Sequence, residues 1–364
     1  MNFSYLNLLA LLYSLTFLTF YSCQISPPSS TPAPLAPMTD QLNSSPISSP
    51  FAFLSSIPFR IFKKAYPLKG NANPEGLVGQ NLKGWIQVGL QRGGMTGLRA
   101  NLILNDQINA ERNWKSLEQA LQHLDSSGEF EQTIINGKHP DPQSYPRTTA
   151  FFLAEACESF LLLPESPLKD IFQQRLQSFH PKLSLAINHL AQKGSLEYLQ
   201  QDSKATNRTF IYAKALLFCG KWDANPLAMA AGQYLLQLGL GRQQTDGVFP
   251  ENGGGDSSYQ AVSLLKLSEI FLYLGQDPLF KGALSSQLLH SLQKGTQWEL
   301  ARINNHGEVT VNGNTRTGLG QETYFGKPKE INYTEVTRYL ALTGKILQDA
   351  KVEQAAEWVA NHDK

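Results

Sequence analysis

The sequence predicts an all-α fold, an α/α toroid in which helix hairpins form an incomplete barrel, with a few short β-hairpins in its loops. Two observations predict this fold. Apolar residues recur with the 3.6-residue period of a helix along most of the chain after Asn81, and glycine or proline separates the periodic segments. In addition, a short turn motif recurs at the spacing of one helix hairpin.

The periodic segments are predicted as helices because each carries an apolar stripe of helical spacing. They are 107–124, 147–163, 166–176, 180–193, 207–220, 225–239, 258–274, 283–294, 333–348 and 350–361. The clearest strand signal is the segment 307–311, which Asn312 and Gly313 follow with the sequence of a hairpin turn.

The turn motif places a glycine just after the end of a helix and an apolar residue behind it, at Gly128, Gly247 and Gly307. The last two glycines are 60 residues apart and the first two are 119 apart, which is nearly twice 60. One helix hairpin with its loops accounts for that spacing, so inner and outer helices are expected to alternate around a central cleft. The alternative is an ordinary all-α domain with unrelated turns.

Residues 1–23 are predicted to be a signal peptide. Their apolar run, 8–20, is shorter than the ~20 residues that a membrane-spanning helix needs. Ser22 and Cys23 resemble a lipoprotein signal, so lipidation of Cys23 is one alternative, and an uncleaved anchor or a plain signal peptide is the other. We therefore expect an exported protein of the cell envelope, the periplasm or the extracellular space, which contacts a membrane only through an N-terminal lipid anchor.

Residues 24–50 are predicted to be a disordered tether, because seven Pro and seven Ser among 27 residues leave little apolar surface to bury. The remainder, 51–364, is expected to form a single domain. Cys157 and Cys219 lie in apolar helical segments and are predicted to be buried free thiols, with a disulfide between them as the alternative in an exported protein.

The composition excludes several partners. The 31 Lys+Arg and 30 Asp+Glu give a net charge of +1, so the chain has no basic excess with which to neutralise the phosphates of a nucleic acid. No Cys/His cluster has the spacing of zinc ligands. We expect no metal and no cofactor.

The segment 245–259, TDGVFPENGGGDSSY, has the highest density of candidate site residues, namely Asp246, Glu251, Asn252 and Asp256. It leads into an apolar helix, and a glycine-rich approach to a helix N-terminus exposes backbone N–H groups that suit an anionic oxygen such as a sugar carboxylate. The alternative is purely structural, since Asp-Gly and Gly-Gly form turns and Asp256 can cap the helix.

A second candidate lies at the start of the predicted helix 207–220. Thr206 or Asn207 would cap this helix, which leaves Arg208 in the first turn and Tyr212 four residues later on the same face. An arginine at a helix N-terminus opposes the macrodipole, and an acidic ligand would explain its presence. The alternative is a solvent-facing Arg208 with Tyr212 in the core.

Two loops complete the candidates. His139, in a proline-rich loop, is the histidine best placed for proton transfer, since imidazole titrates near neutrality. Asn314 and Arg316, after the predicted hairpin, are in a position to contact an extended ligand, or to serve only in a hairpin loop.

The Asn207-Arg208 pair and the segment from Asp246-Gly247-Val248-Phe249 to Tyr259 resemble the helical-toroid domain of polysaccharide lyases of the hyaluronate and chondroitin lyase type. The resemblance implies that Tyr259 is the general acid and base and that Arg208 supports the site. Asn252 stands where that family has a histidine.

We accordingly expect a protein that acts on an anionic polysaccharide by β-elimination. Asn252 and Arg208 would neutralise the uronate carboxylate, while Tyr259 or His139 would move the proton. A hydrolase that uses two carboxylates from Asp246, Glu251 and Asp256 is one alternative. A non-catalytic glycan-binding envelope protein is the other.

Overall fold

The structure is a computed structural model that describes residues 49–66, 68, 72–79, 84–133, 141, 144–202, 205–278, 280, 282–324 and 326–362. The predicted signal peptide with Cys23, nearly all of the predicted tether, and His139 lie outside the described residues.

The described chain is all-α apart from one short ladder. The helices are α1 (Pro50–Ser55), α2 (Phe59–Ala65), α3 (Arg92–Leu104), α4 (Gln107–Gln122), α5 (Tyr145–Leu162), α6 (Lys169–Ala191), α7 (Lys193–Gln201), α8 (Thr206–Trp222), α9 (Pro226–Leu240), α10 (Ser257–Leu274), α11 (Ala283–Leu300), α12 (Tyr333–Leu347) and α13 (Ala350–His362). Strands β1 (Thr323–Tyr324) and β2 (Lys327–Pro328) pair antiparallel, with Thr323 opposite Pro328.

Ten of these helices form five consecutive hairpins, namely α3–α4, α5–α6, α8–α9, α10–α11 and α12–α13, and the two helices of each hairpin pack on each other. The first helices of the hairpins also pack in series, α3 on α5, α5 on α8, α8 on α10 and α10 on α12, and α12 packs on α2. The extent of burial differs between a first helix and a second helix of these hairpins. Helix α10 buries every residue, as an interior helix does, whereas α6 buries only one apolar face.

In four of the hairpins, a repeated glycine turn before the first helix packs against the second helix. Turns of the same geometry precede α3, α5, α10 and α12, and their glycines are Gly76, Gly128, Gly247 and Gly307, with φ between +80° and +98°. A Cβ on any of them would lie 2.1–2.5 Å from a carbonyl oxygen of the second helix in the same hairpin. Glycine is thus required for both the positive φ and the close approach. Three of these turns confirm the motif predicted from the sequence, and α7 stands where a fifth would precede α8.

Several local predictions are wrong, and helix α7, for example, has no counterpart among the predicted helices. Helix α3 was not expected, since glycine at positions 93, 94 and 97 weakens the helical signal. Helix α6 continues through Pro181, where two helices were predicted. At Asn312–Gly313 the described chain has a turn that Asn314 N closes on Val311 O at 3.0 Å, and no hairpin ladder.

Cys157 of α5 and Cys219 of α8 form a disulfide, so the prediction of free thiols is wrong and its alternative is confirmed. The bond joins the first helices of two successive hairpins. None of the helices in the described ranges combines the length and the apolarity of a bilayer-spanning segment.

Candidate functional site

A cavity of about 960 Å³ lies among the first helices of the hairpins. The first turns of α3, α8, α10 and α12 all contribute to its wall, so four helix N-termini with their partial positive charge face one space. The charged side chains of the wall are Arg92, Arg208, Lys266, Arg316, Lys327, Lys329 and Arg338 against Glu155, Glu330 and Glu335. Seven cations and three carboxylates line the wall, and Arg208 and Arg316 also pair with Asp202, Glu251 and Glu322 beside it. The remaining positive charge suits the cavity to an anionic ligand.

Tyr259 lies in this wall between two cations. The Arg316 guanidinium lies over its ring, 3.6 Å from the centroid, and the Lys329 ammonium contacts the phenol oxygen. The phenol also donates to Glu322 Oε2 at 3.3 Å. Burial lowers the pKa of Lys329. The arrangement therefore places a proton donor and a proton acceptor in contact at the cavity surface.

Glu251 is a fully buried carboxylate behind this wall. Its Oε1 accepts from the backbone N–H of Asn207 at 2.7 Å, and its Oε2 accepts from Arg316 Nη1 at 2.7 Å. The side chain of Glu251 thus caps α8, where a cap by Thr206 or Asn207 was predicted. Burial raises the pKa of Glu251 to about 7, although the Asn207 amide and Arg316 act in the opposite direction.

Arg208 faces the same cavity as Tyr259, as the sequence led us to expect. Its Nη1 donates to Asp202 Oδ1 at 2.9 Å, and Asp202 also accepts from Tyr212 and from Arg147. Tyr212 is completely buried, and burial together with the Asp202 carboxylate raises its pKa. Tyr212 therefore orients Asp202 from within the protein and does not line the cavity.

A second cavity of about 420 Å³ shares Arg208 and Arg316 with the first. Asn252 lies in its wall and is exposed, with φ of +52°. Asn207 belongs to the wall of the larger cavity, and its buried Oδ1 has no hydrogen-bond partner among the described residues.

The remaining predicted residues lie outside both cavity walls. Asp246 is exposed and accepts from Val248 N at 3.1 Å within its turn. Asp256 caps α10 through Tyr259 N, and its other oxygen accepts from the backbone N–H groups of Arg316 and Thr317. Asn314 Oδ1 accepts from Ser257 N at 3.0 Å. Asp256 and Asn314 therefore fold the 314–317 loop onto α10, which is how Arg316 reaches Tyr259.

A buried ion cluster beneath the cavity was missed at the sequence level. Its members are Arg99 of α3, Glu155 and Glu158 of α5, Lys214 of α8, Lys266 and Glu269 of α10, and Arg338 of α12. Glu155, Lys266 and Arg338 form the floor of the cavity. One sequence pattern could have indicated the cluster, namely two charged residues three positions apart in an otherwise apolar helix. This pattern occurs at Lys266 and Glu269 and again at Glu155 and Glu158.

The ligand atoms of Glu155, Glu158 and Glu269 lie within 4.8 Å of one another, a spacing that a metal ion can use. Lys214 Nζ already occupies the position between them, at 3.0, 2.5 and 2.7 Å from their oxygens. Burial opposes ionisation of Glu269, yet the Lys214 and Lys266 ammonium groups lower its pKa to about 2. The three carboxylates are thus neutralised by the protein itself.

Comparison with models of known protein families and with curated proteins finds no match for this chain. The residues of the cavity wall are accordingly the guide to function.

Proposed function

We propose that the five helix hairpins form an α/α toroid whose central cleft is the cationic cavity. The serial packing of the first helices, from α3 through α12 and on to α2, supports this arrangement. The burial of all residues of α10, against one buried face on α6, supports the assignment of inner and outer helices. Such an arrangement directs the N-termini of the inner helices to one end of the ring.

We propose that this cleft binds an anionic polysaccharide and cleaves it by β-elimination. The observation that carries the proposal is Tyr259, which contacts Lys329 and Arg316 in the wall of a cavity with a cationic excess. A β-elimination needs a cationic surface for the uronate carboxylate and a group that moves a proton from carbon to oxygen. The cavity wall offers both.

In the proposed reaction Arg208 and the Asn207 side chain hold the uronate carboxylate, which acidifies the C–H bond beside it. Glu322, to which the phenol donates, accepts the phenol proton, and the Lys329 ammonium and Arg316 stabilise the resulting phenolate. The Tyr259 phenolate then removes the proton from that carbon. The C–H electron pair forms a carbon–carbon double bond, and the neighbouring C–O bond breaks. The leaving oxygen takes a proton from the Tyr259 phenol, and Glu322 returns its proton to Tyr259, so one proton moves from carbon to oxygen and no water is consumed.

The geometry favours elimination over hydrolysis by the predicted carboxylates. Hydrolysis needs a pair of carboxyl groups on either side of a glycosidic bond. Asp246 is engaged in a turn, Asp256 in a helix cap, and Glu251 with Asn207 and Arg316. None of the three belongs to the wall of either cavity.

Incubation of the protein with uronate polysaccharides tests the proposal, because elimination creates an unsaturated uronide that absorbs ultraviolet light. The rate of this absorbance change is expected to fall by about 10²–10⁴-fold in Tyr259→Phe. Tyr234→Phe is the matched control, since Tyr234 is an exposed tyrosine of α9. New reducing ends without absorbance would indicate hydrolysis, and polysaccharide binding without either product would indicate a binding protein.

We also propose that the protein is exported. The Cys157–Cys219 disulfide supports this, because disulfides form and persist mainly in oxidising compartments.

A further inference from the structure

Arg338 belongs to the cavity wall, and its buried Nε has no hydrogen-bond partner among the described residues. The residue is only 5% exposed and belongs to the cavity wall. Among the described residues its one ionic contact is from Nε to Glu269 Oε1, at 3.7 Å, and its guanidinium also lies over the Tyr66 ring, 5.2 Å from the centroid. A guanidinium carries five N–H donors, and leaving a buried donor unpaired is costly. Arg338 is therefore in a position to receive an acceptor from the cavity side.

The net charge of the ion cluster also indicates that Arg338 can accept an anionic ligand. Arg99, Lys214, Lys266 and Arg338 supply four positive charges, and Glu155, Glu158 and Glu269 supply three negative ones.

The compensated cations are the deeper ones. Lys214 contacts all three carboxylates, and Arg99 contacts Glu155 and Glu158. Arg338 has the weakest pairing of the four and faces the cavity. Its single ion pair among the described residues, with Glu269 Oε1 at 3.7 Å, compensates the buried charge only in part.

The nearest carboxylate oxygen, Glu269 Oε1, lies 3.7 Å from Arg338 Nε, which is beyond hydrogen-bond distance, and it has no hydrogen-bond partner of its own among the described residues. Glu335, one turn before Arg338, accepts from Asn332 Nδ2 at 2.7 Å. Lys266, also part of the cavity floor, contacts Glu155 Oε1 at 2.8 Å and Glu269 Oε2 at 3.0 Å. Two of its three N–H donors are thus satisfied, and one is left for a ligand.

We propose that Arg338 and Lys266 form an oxyanion subsite at the cavity floor. This inference rests on the proposed function. The first anionic group of the polysaccharide lies at Arg208 and Tyr259, and the subsite binds a second one, a carboxylate or a sulfate ester. The planar fork of a guanidinium matches either oxyanion through two parallel hydrogen bonds. The substrate class is accordingly a polysaccharide with anionic groups on neighbouring sugars.

Inorganic sulfate is the probe, because its binding is measured without turnover. Isothermal titration and sulfate-dependent thermal unfolding are carried out on the wild-type chain, Arg338→Gln and Lys345→Gln. Lys345 is the matched control, since it lies on the same helix α12, loses the same charge and is not part of the cavity wall. We expect the Kd for sulfate to rise at least tenfold in Arg338→Gln and to change less than threefold in Lys345→Gln.

Unchanged sulfate binding in a folded Arg338→Gln would overturn the proposal. So would a wild-type chain that binds no sulfate. If Arg338→Gln does not fold, Arg338→Lys decides, because it keeps the charge and loses the fork: sulfate binding weakened several-fold supports the subsite, and unchanged binding overturns it.

A second comparison identifies the group that the subsite takes and separates the two proposals. Binding of sulfated and chemically desulfated chondroitin is compared between the wild-type chain and Arg338→Gln. A larger loss with the sulfated chain assigns the subsite to sulfate, and an equal loss assigns it to carboxylate. If the protein eliminates but Arg338→Gln changes the binding of no ligand, the subsite alone is refuted. If Arg338 binds sulfate but no elimination product forms, only the proposed function is refuted.

Discussion

Substitution of Gly307 by alanine tests how the glycine turns hold the helix hairpins. Gly307 has φ of +80°, and a Cβ there would lie 2.1 Å from the Trp358 carbonyl oxygen of α13. A left-handed conformation costs an alanine about 1–2 kcal/mol. Separating the turn from α13 adds an overpacking cost of about 1–3 kcal/mol. We therefore expect Gly307→Ala to lower the free energy of unfolding by about 2–5 kcal/mol, measured by urea denaturation with far-ultraviolet circular dichroism.

Gly313→Ala is the matched control, since Gly313 has nearly the same φ, +76°. Among the described residues, none beyond its two chain neighbours lies within 4 Å of the position that the added methyl group would take. Only the conformational cost applies there, so a loss of about 1–2 kcal/mol is expected. The difference between the variants isolates the contact with α13, provided that their m-values agree. Equal losses would refute the packing argument.

Three further predictions concern the ionisable and sulfur-containing side chains. Burial raises the pKa of Glu251 to about 7 from a usual value of 4.5, so its neutral form stabilises the fold below about pH 4.5 and this contribution is lost as the pH rises through 7. The difference in unfolding free energy between wild type and Glu251→Gln should thus decrease from about pH 5 to pH 8 in urea titrations, and a flat difference contradicts it. Reduction of the Cys157–Cys219 disulfide, which closes a loop of 62 residues, should lower stability by about 2–4 kcal/mol, and equal urea midpoints with and without reductant contradict this. Lys214→Met leaves three buried carboxylates without their shared cation and should cost about 3–5 kcal/mol, so a thermal midpoint equal to that of the wild type would contradict the assigned contacts.

Most of the helices could be predicted because their apolar period and their end signals agree, as in α9, which begins at Pro226 after the cap Asn225. Helix α3 could not, since its glycines at 93, 94 and 97 are selected by tertiary contact: a Cβ on Gly97 would lie 2.7 Å from the Asn113 side chain of α4. Pro181 had the opposite effect, since it predicted a break between two helices where the single helix α6 continues. Packing keeps this segment helical although the local propensity of proline would end the helix.

The candidate site was predictable where it depends on helix starts and turns. Asn207, Arg208 and Tyr259 lie in the first turns of α8 and α10 and share one cavity wall. The roles of Lys329 and Arg338 were not predictable, because their side chains contact residues about 70 positions away along the chain, Lys329 with Tyr259 and Arg338 with Glu269. No local pattern encodes such pairings.

Helix α8 is the exception among the first helices of the hairpins, because α7 and Asp202 precede it, whereas a glycine turn precedes each of the other four. Asp202 binds Arg147 and Arg208 beside both cavities. Under the proposed function, we therefore expect substitutions in α7 and at Asp202 to change which ligand binds. The four glycine turns would keep the other hairpins in place.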